Sequence, residues 1–155
     1  MSIKEIVRQQ YQDIEDQAAI TVAHLSRPPE GWLCTARKAL RMTGAQLARR
    51  LGVSRAQVSK TEKNELTGSV TLKTMQNMAE AMGCRFVYAI VPEQDTQSLI
   101  EQQAQKKAQA LVQQANEQMA LEAQMLSPQQ IQFEITRLQK ELLEKMPGDF
   151  WDDEK

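Results

Sequence analysis

The sequence predicts a mostly α fold: short helices packed through the middle, one β-strand behind them, and a C-terminal helical extension. Three observations carry this reading. Aromatic residues make up only 5% of the chain while Ala, Gln, Glu and Lys abound, a composition that favours helix. Apolar residues recur at spacings of three and four over long stretches. A single segment, "CRFVYAIVP" (Cys84 to Pro92), strings together residues that favour an extended backbone, between Gly83 and Pro92.

Taken in order, residues 2 to about 24 read as one helix, with Ile6, Ile14, Ala18 and Val22 near helical spacing. "SRPPEG" then stops it, because paired prolines cannot continue a helix. A run of short helices follows from Gly31 to Met82. The strand comes next; alone in one chain it cannot satisfy its backbone groups, and pairing with the same strand of a second copy would do so. From about Thr96, Ile100, Ala104, Ala108, Leu111, Ala115 and Met119 form an apolar stripe. "LSPQQ" restarts the chain with Ser127 as N-cap and Pro128 at the first helical position. Ile131, Ile135, Leu138 and Leu142 make a second stripe. Neither helix can bury its stripe alone, so they would fold onto each other, onto the core or onto a partner. The expected domains are an N-terminal helix (1–26), a central domain ending in the strand (27–92) and a C-terminal extension for dimerisation or partner binding (93–155).

Charge is unevenly distributed. The chain has a net charge of -1, yet between Arg27 and Lys73 ten Lys and Arg face three Asp and Glu. A basic middle between acidic ends suggests a surface for a polyanion. No apolar run is long enough for a membrane span, and Met1 to Gln12 lacks the apolar core of a signal peptide, so a cytoplasmic location is expected. Cys34 and Cys84 read as two small buried thiols, and His24, the one histidine, as a polar residue near the end of the first helix. No phosphate loop, nucleophile pattern or set of metal-spaced ligands is present, so no enzymatic activity, cofactor or metal is expected.

The cations gather around "TGAQLARRLGVSRAQVSKTEKNE" (Thr43 to Glu65). Thr43 with Gln46, and Ser54 with Gln57, fit capping boxes that open two successive helices. Leu51 completes the first, and Gly52 supplies the reversal. Leu47, Ala48, Leu51, Val53 and Val58 form the apolar seam, with Ala48 small where the helices cross. This is a helix-turn-helix, whose second helix enters the major groove of DNA. The bland reading, a helical hairpin with a solvated basic face, fits less well because Arg55, Gln57 and Lys60 project from faces the seam leaves free.

From roughly Trp32 to Met82 the chain resembles the XRE-type helix-turn-helix repressors, with five short helices' worth of pattern; this implies a lambda-repressor-like domain. "RPPEGWLCTARKALRMTGAQLARRLGVS", "TLKTMQNMAEAMGCRFVYAIVP", "KKAQALV" and "MALEAQ" resemble the mobile mystery protein A family. That resemblance implies a helix-turn-helix regulator that is the antitoxin partner of a Fic-domain toxin, expected here to be an autorepressor. A homodimer paired through the strand would present two recognition helices one DNA turn apart and favour a palindromic double-stranded DNA operator. The repressor pattern implies that the Ser54 hydroxyl meets a phosphate. It further implies that Arg55 and Ala56 face base edges, and that Lys60, with Ser59 and Gln57 as weaker candidates, lies one turn on. Lys63 and Asn64 would hold the DNA backbone, with Arg41 and Thr43 contributing from the preceding segment. Two positions depart from it. Gly44 stands where relatives carry a bracing Gln, and Thr61 stands where an aliphatic or aromatic residue is common. Arg49 and Arg50 point about 100° apart, so at most one suits a phosphate. The Fic-antitoxin pattern Ser/Thr-x-x-x-Glu-Gly/Asn is approached only at Thr61 to Glu65, where Leu66 follows. The competing reading is a protein-interaction module that binds and inhibits a partner without touching DNA.

Overall fold

The computed structural model describes residues 1–153 and contains seven α-helices among them. They are α1 (Ile3–Thr21), α2 (Trp32–Ala39), α3 (Gly44–Leu51), α4 (Arg55–Thr67), α5 (Leu72–Ala81), α6 (Thr96–Leu121) and α7 (Pro128–Lys145). They form two compact units, one from residues 23–89 and the other from residues 1–22 together with the chain from 90 onward.

Short polar caps set the helix starts in the first unit. Thr43 accepts from the Gln46 amide while the Gln46 side chain accepts from the Thr43 amide, a complete capping box. Ser54 accepts from the Gln57 amide and Thr71 from the Thr74 amide. The box expected at Ser54 is only half made, because the Gln57 amide group turns instead to the Thr61 hydroxyl. Leu33, Leu47, Ala48, Val58, Met75, Met78 and Met82 form the core, with Leu51 and Phe86 against it. Val53, expected in the seam, stands open to solvent at 42% exposure, because the reversal at Gly52 carries it past the helix crossing. The unit holds four helices, α2 to α5, where the resemblance implies five.

The expected strand does not form. Among the described residues there is no strand or sheet; Cys84 to Pro92 runs extended and unpaired. Strand preference reports how well a side chain fits a pleated, half-buried surface, and no other described segment of the chain runs alongside this one as a strand. Phe86 reaches the core and stacks on Tyr88 with ring centroids 5.6 Å apart, while Val87, Tyr88 and Ile90 remain exposed.

In the second unit, α6 and α7 fold onto each other as an antiparallel hairpin. Ala104, Ala108 and Val112 of α6 meet Ile135 and Leu142 of α7, and Phe150 closes the end at 1% exposure. Small residues on α6 let the two backbones approach. Lys107 is buried within this unit, and its ammonium donates to the carbonyl oxygens of Asp149 and Asp152, 2.6 and 3.5 Å away, which ties the chain after α7 to α6. A complete capping box at Ser127 and Gln130 starts α7, with Pro128 in its first turn. α1 joins the unit through Asp16, whose carboxylate accepts from the Thr96 amide and hydroxyl at the start of α6.

Candidate nucleic-acid interface

The reversal between α3 and α4 is built by glycine. Gly52 has φ 69°, a left-handed conformation costly for other residues, and the Val53 amide reaches back to the Ala48 carbonyl at 3.0 Å. With Leu47, Ala48 and Val58 buried beneath, α3 and α4 are locked at this turn.

The helical repeat of α4 then decides which side chains are free. Val58, Thr61 and Glu65 are its buried residues and share one face. At about 100° per residue, Ala56, Ser59, Lys60 and Lys63 fall on the opposite face, with Arg55 at one flank and Gln57 and Asn64 at the other. Ser54, Arg55, Ala56, Gln57, Ser59, Lys60 and Lys63 are all exposed and Asn64 is half-buried. Thr43 and Arg41 are exposed too. Arg41 sits at φ 57°, in the left-handed region, between α2 and α3. Arg41, Thr43, Gly44, Arg55 and Ser59 lie together along a depression of about 470 Å³ whose floor includes Met42 and Val58. Nine of the ten expected contact residues are thus exposed, on α4, at its N-cap or in the segment leading into α3, and Asn64 is half-buried.

The two departures from the repressor pattern have local explanations. A Cβ built on Gly44 would come 4.0 Å from the Arg55 Cγ, an ordinary contact, so position 44 lies beside the stem of Arg55 with space for a side chain. Thr61 is buried at 5% exposure with its hydroxyl donating to the Gln57 carbonyl at 2.9 Å, so its polar group is satisfied beneath the helix. Of the adjacent arginines, Arg50 donates to the Ala81 carbonyl at the end of α5, and Arg49 is left exposed beside Arg41.

Two supports were not legible in the spacing. Glu65 is 7% exposed, and its carboxylate accepts from the Trp32 and Leu33 amides at 2.7 and 2.8 Å. Gly31, the residue before α2, supplies no side-chain cap, so α4 provides it from a distance. Glu65 is therefore engaged within the domain. Arg37 meets Glu62 through two parallel bonds of 2.6 and 3.2 Å and donates to the Met42 carbonyl at 3.0 Å. The hydrogen bond to Glu62 holds the Arg37 guanidinium above its ordinary range. An unpaired carboxylate beside Arg55 would repel phosphate; the Arg37 fork neutralises it and leaves the rim positive.

The cysteines differ from expectation. Cys84 is exposed and Cys34 half-buried, because the chain after α5 is not covered by a sheet and α2 is short. Burial, and then the charge of Glu62, push the Cys34 thiol up, away from the reactive thiolate. No cluster of three or more His, Cys, Asp or Glu suited to a metal occurs among the described residues.

A glycine-turned helix pair on a four-helix core, with the second helix capped, cationic and uncovered within its own unit, defines a DNA-binding helix-turn-helix domain. Residues 35–88 match the family model described as Helix-turn-helix, a stretch that runs from within α2 to the extended segment after α5. Within that stretch the chain carries a helix-turn-helix domain, and the match supports a DNA-binding regulator of the XRE kind. Comparison with curated proteins and with solved structures gave no match.

Proposed function

We propose that the chain represses transcription sequence-specifically, as a homodimer seating one α4 from each copy in successive major grooves of a palindromic operator. The observation that carries this reading is the face of α4 opposite Val58, Thr61 and Glu65, which presents Lys60 and Lys63 beside a small Ala56 while Arg55 flanks it. Arg55 forks onto guanine O6 and N7, Ala56 meets a thymine methyl, and Ser54 with the start of α4 takes a phosphate. Lys63, Asn64, Arg41 and Thr43 hold the DNA backbone and set the register of the helix. Two-fold symmetry places the recognition helices about 34 Å apart, one turn of DNA.

The resemblance to mobile mystery protein A supports autorepression and an antitoxin role beside a Fic-domain toxin. Without the inhibitory pattern, restraint of that toxin would act through repression or a contact elsewhere on this chain.

Footprinting and anisotropy titrations on the DNA upstream of the protein's own gene test the proposal. A protected palindrome is expected, with affinity that falls steeply between 50 and 200 mM salt, as counterion release requires, by about 10³-fold for six phosphate contacts. No binding at low salt would overturn it and favour a module that inhibits a partner protein without DNA. Co-purification with a neighbouring Fic protein, with its activity assayed, separates direct inhibition from repression alone.

A further inference from the structure

α1 is a well-made helix with an uncovered side. Ser2 and Glu5 form a complete capping box at its start, and the helix runs 19 residues without burying one of them. At about 100° per residue, Ile3, Val7, Tyr11, Ile14 and Ala18 share a stripe about 80° wide. Ile3 is 81% exposed, Tyr11 69% and Ile14 64%. The helix meets α6 through a different, polar face, with Gln12 against Gln97 and Asp16 against Thr96. An amphipathic helix normally does the reverse, turning its apolar stripe inward.

Charge indicates what covers the stripe. Lys4 and Arg8 stand in the first half of α1, and Asp13, Glu15 and Asp16 in the second, with Glu5 the one acid near the start. This order opposes the helix dipole, which favours acids at the N-terminus and cations at the C-terminus. An antiparallel copy of the same helix reverses the disadvantage. Val7 then faces Ile14, Ile3 faces Ala18, and the two Tyr11 rings meet near the axis. Lys4, Arg8 and Glu15 lie on the same flank of the stripe, so the other copy's Glu15 falls between Lys4 and Arg8. The opposite flank carries Gln10 and Gln17, which places no like charges together. An anionic membrane fits poorly, because residues 3–21 hold two cations against four acids.

We propose that α1 is a homodimerisation helix that pairs antiparallel, through Ile3, Val7, Tyr11, Ile14 and Ala18, with the α1 of a second copy of this chain. This rests on the two-fold dimer proposed above and gives it a surface. Sedimentation equilibrium of the full chain without DNA tests it, so the result stands apart from operator binding. A dimer is expected at micromolar concentration. A Val7→Glu, Ile14→Glu variant is expected to weaken it at least tenfold while circular dichroism stays unchanged, since neither residue is buried. Glu15→Lys alone, and Lys4→Glu with Arg8→Glu, should each weaken self-association, and an equimolar mixture of the two variant chains should restore a dimer. A monomeric wild-type chain, or a dimer of undiminished strength in the Val7→Glu, Ile14→Glu variant, would overturn the proposal. So would an α1 stripe occupied by a different protein while the chain itself stays monomeric.

Discussion

Glu65 shows how much one side chain of the DNA-binding domain does for its neighbours. Its carboxylate satisfies two amides at the start of α2, and Gly31 is shaped to admit it: a Cβ there would come 2.9 Å from Glu65 Oε1, at a backbone φ of 86°. Glu65→Ala leaves the buried Leu33 amide and the partly buried Trp32 amide without that partner and is expected to cost about 2 kcal/mol in urea unfolding. Gly31→Ala should cost more than about 1 kcal/mol in the same measurement, through both strain and collision. At the DNA-facing surface, Arg55→Ala is expected to lose about 1–3 kcal/mol of operator affinity and relax the preference at one base pair. Lys63→Ala should instead weaken all sequences alike and lower the salt slope by about one, read from titrations across salt concentrations. That Arg55, Ala56, Ser59, Lys60 and Lys63 stay exposed on α4 was legible from sequence, because an amphipathic period assigns the buried face locally. Glu65 and the Arg37–Glu62 pair were not, because their partners lie on other helices.

Among the elements, the starts of α3, α4 and α7 were readable at Thr43, Ser54 and Ser127, since each cap depends on a hydroxyl and an amide three residues apart. Ser54→Ala removes the cap of α4 and is expected to lower stability by about 1 kcal/mol in urea unfolding. The α6–α7 hairpin was foreseeable as one of three ways to bury two stripes, and the chosen one is closed by Phe150. Phe150→Ala should destabilise that unit by about 3–5 kcal/mol, measured by thermal or chemical unfolding. Because the core of α2 to α5 shares no residue with it, specific DNA affinity below the unfolding transition is expected to change little. The strand was the misreading at this scale. Val87, Tyr88 and Ile90 have the right composition, but a strand exists only where a neighbouring backbone takes its hydrogen bonds.

Across the whole molecule, charge is sorted by unit. The excess of cations lies between Arg27 and Lys73, within or close to α2 to α5, while the ends of the chain are acidic. Such sorting makes the unit of α2 to α5 the one whose field favours a polyanion. No helix among the described residues is long and apolar enough to cross a membrane. The sequence by itself determined the helix-turn-helix, its caps, its glycine reversal and its free cationic face, because each depends on residues within a turn or two of one another. Only the tertiary structure decided that Glu65 caps α2, that Arg37 silences Glu62, that Cys84 to Pro92 stays unpaired and that α1 turns a polar face to α6. Those outcomes depend on which distant backbone or side chain arrives within bonding distance, and periodicity along one segment carries no record of that.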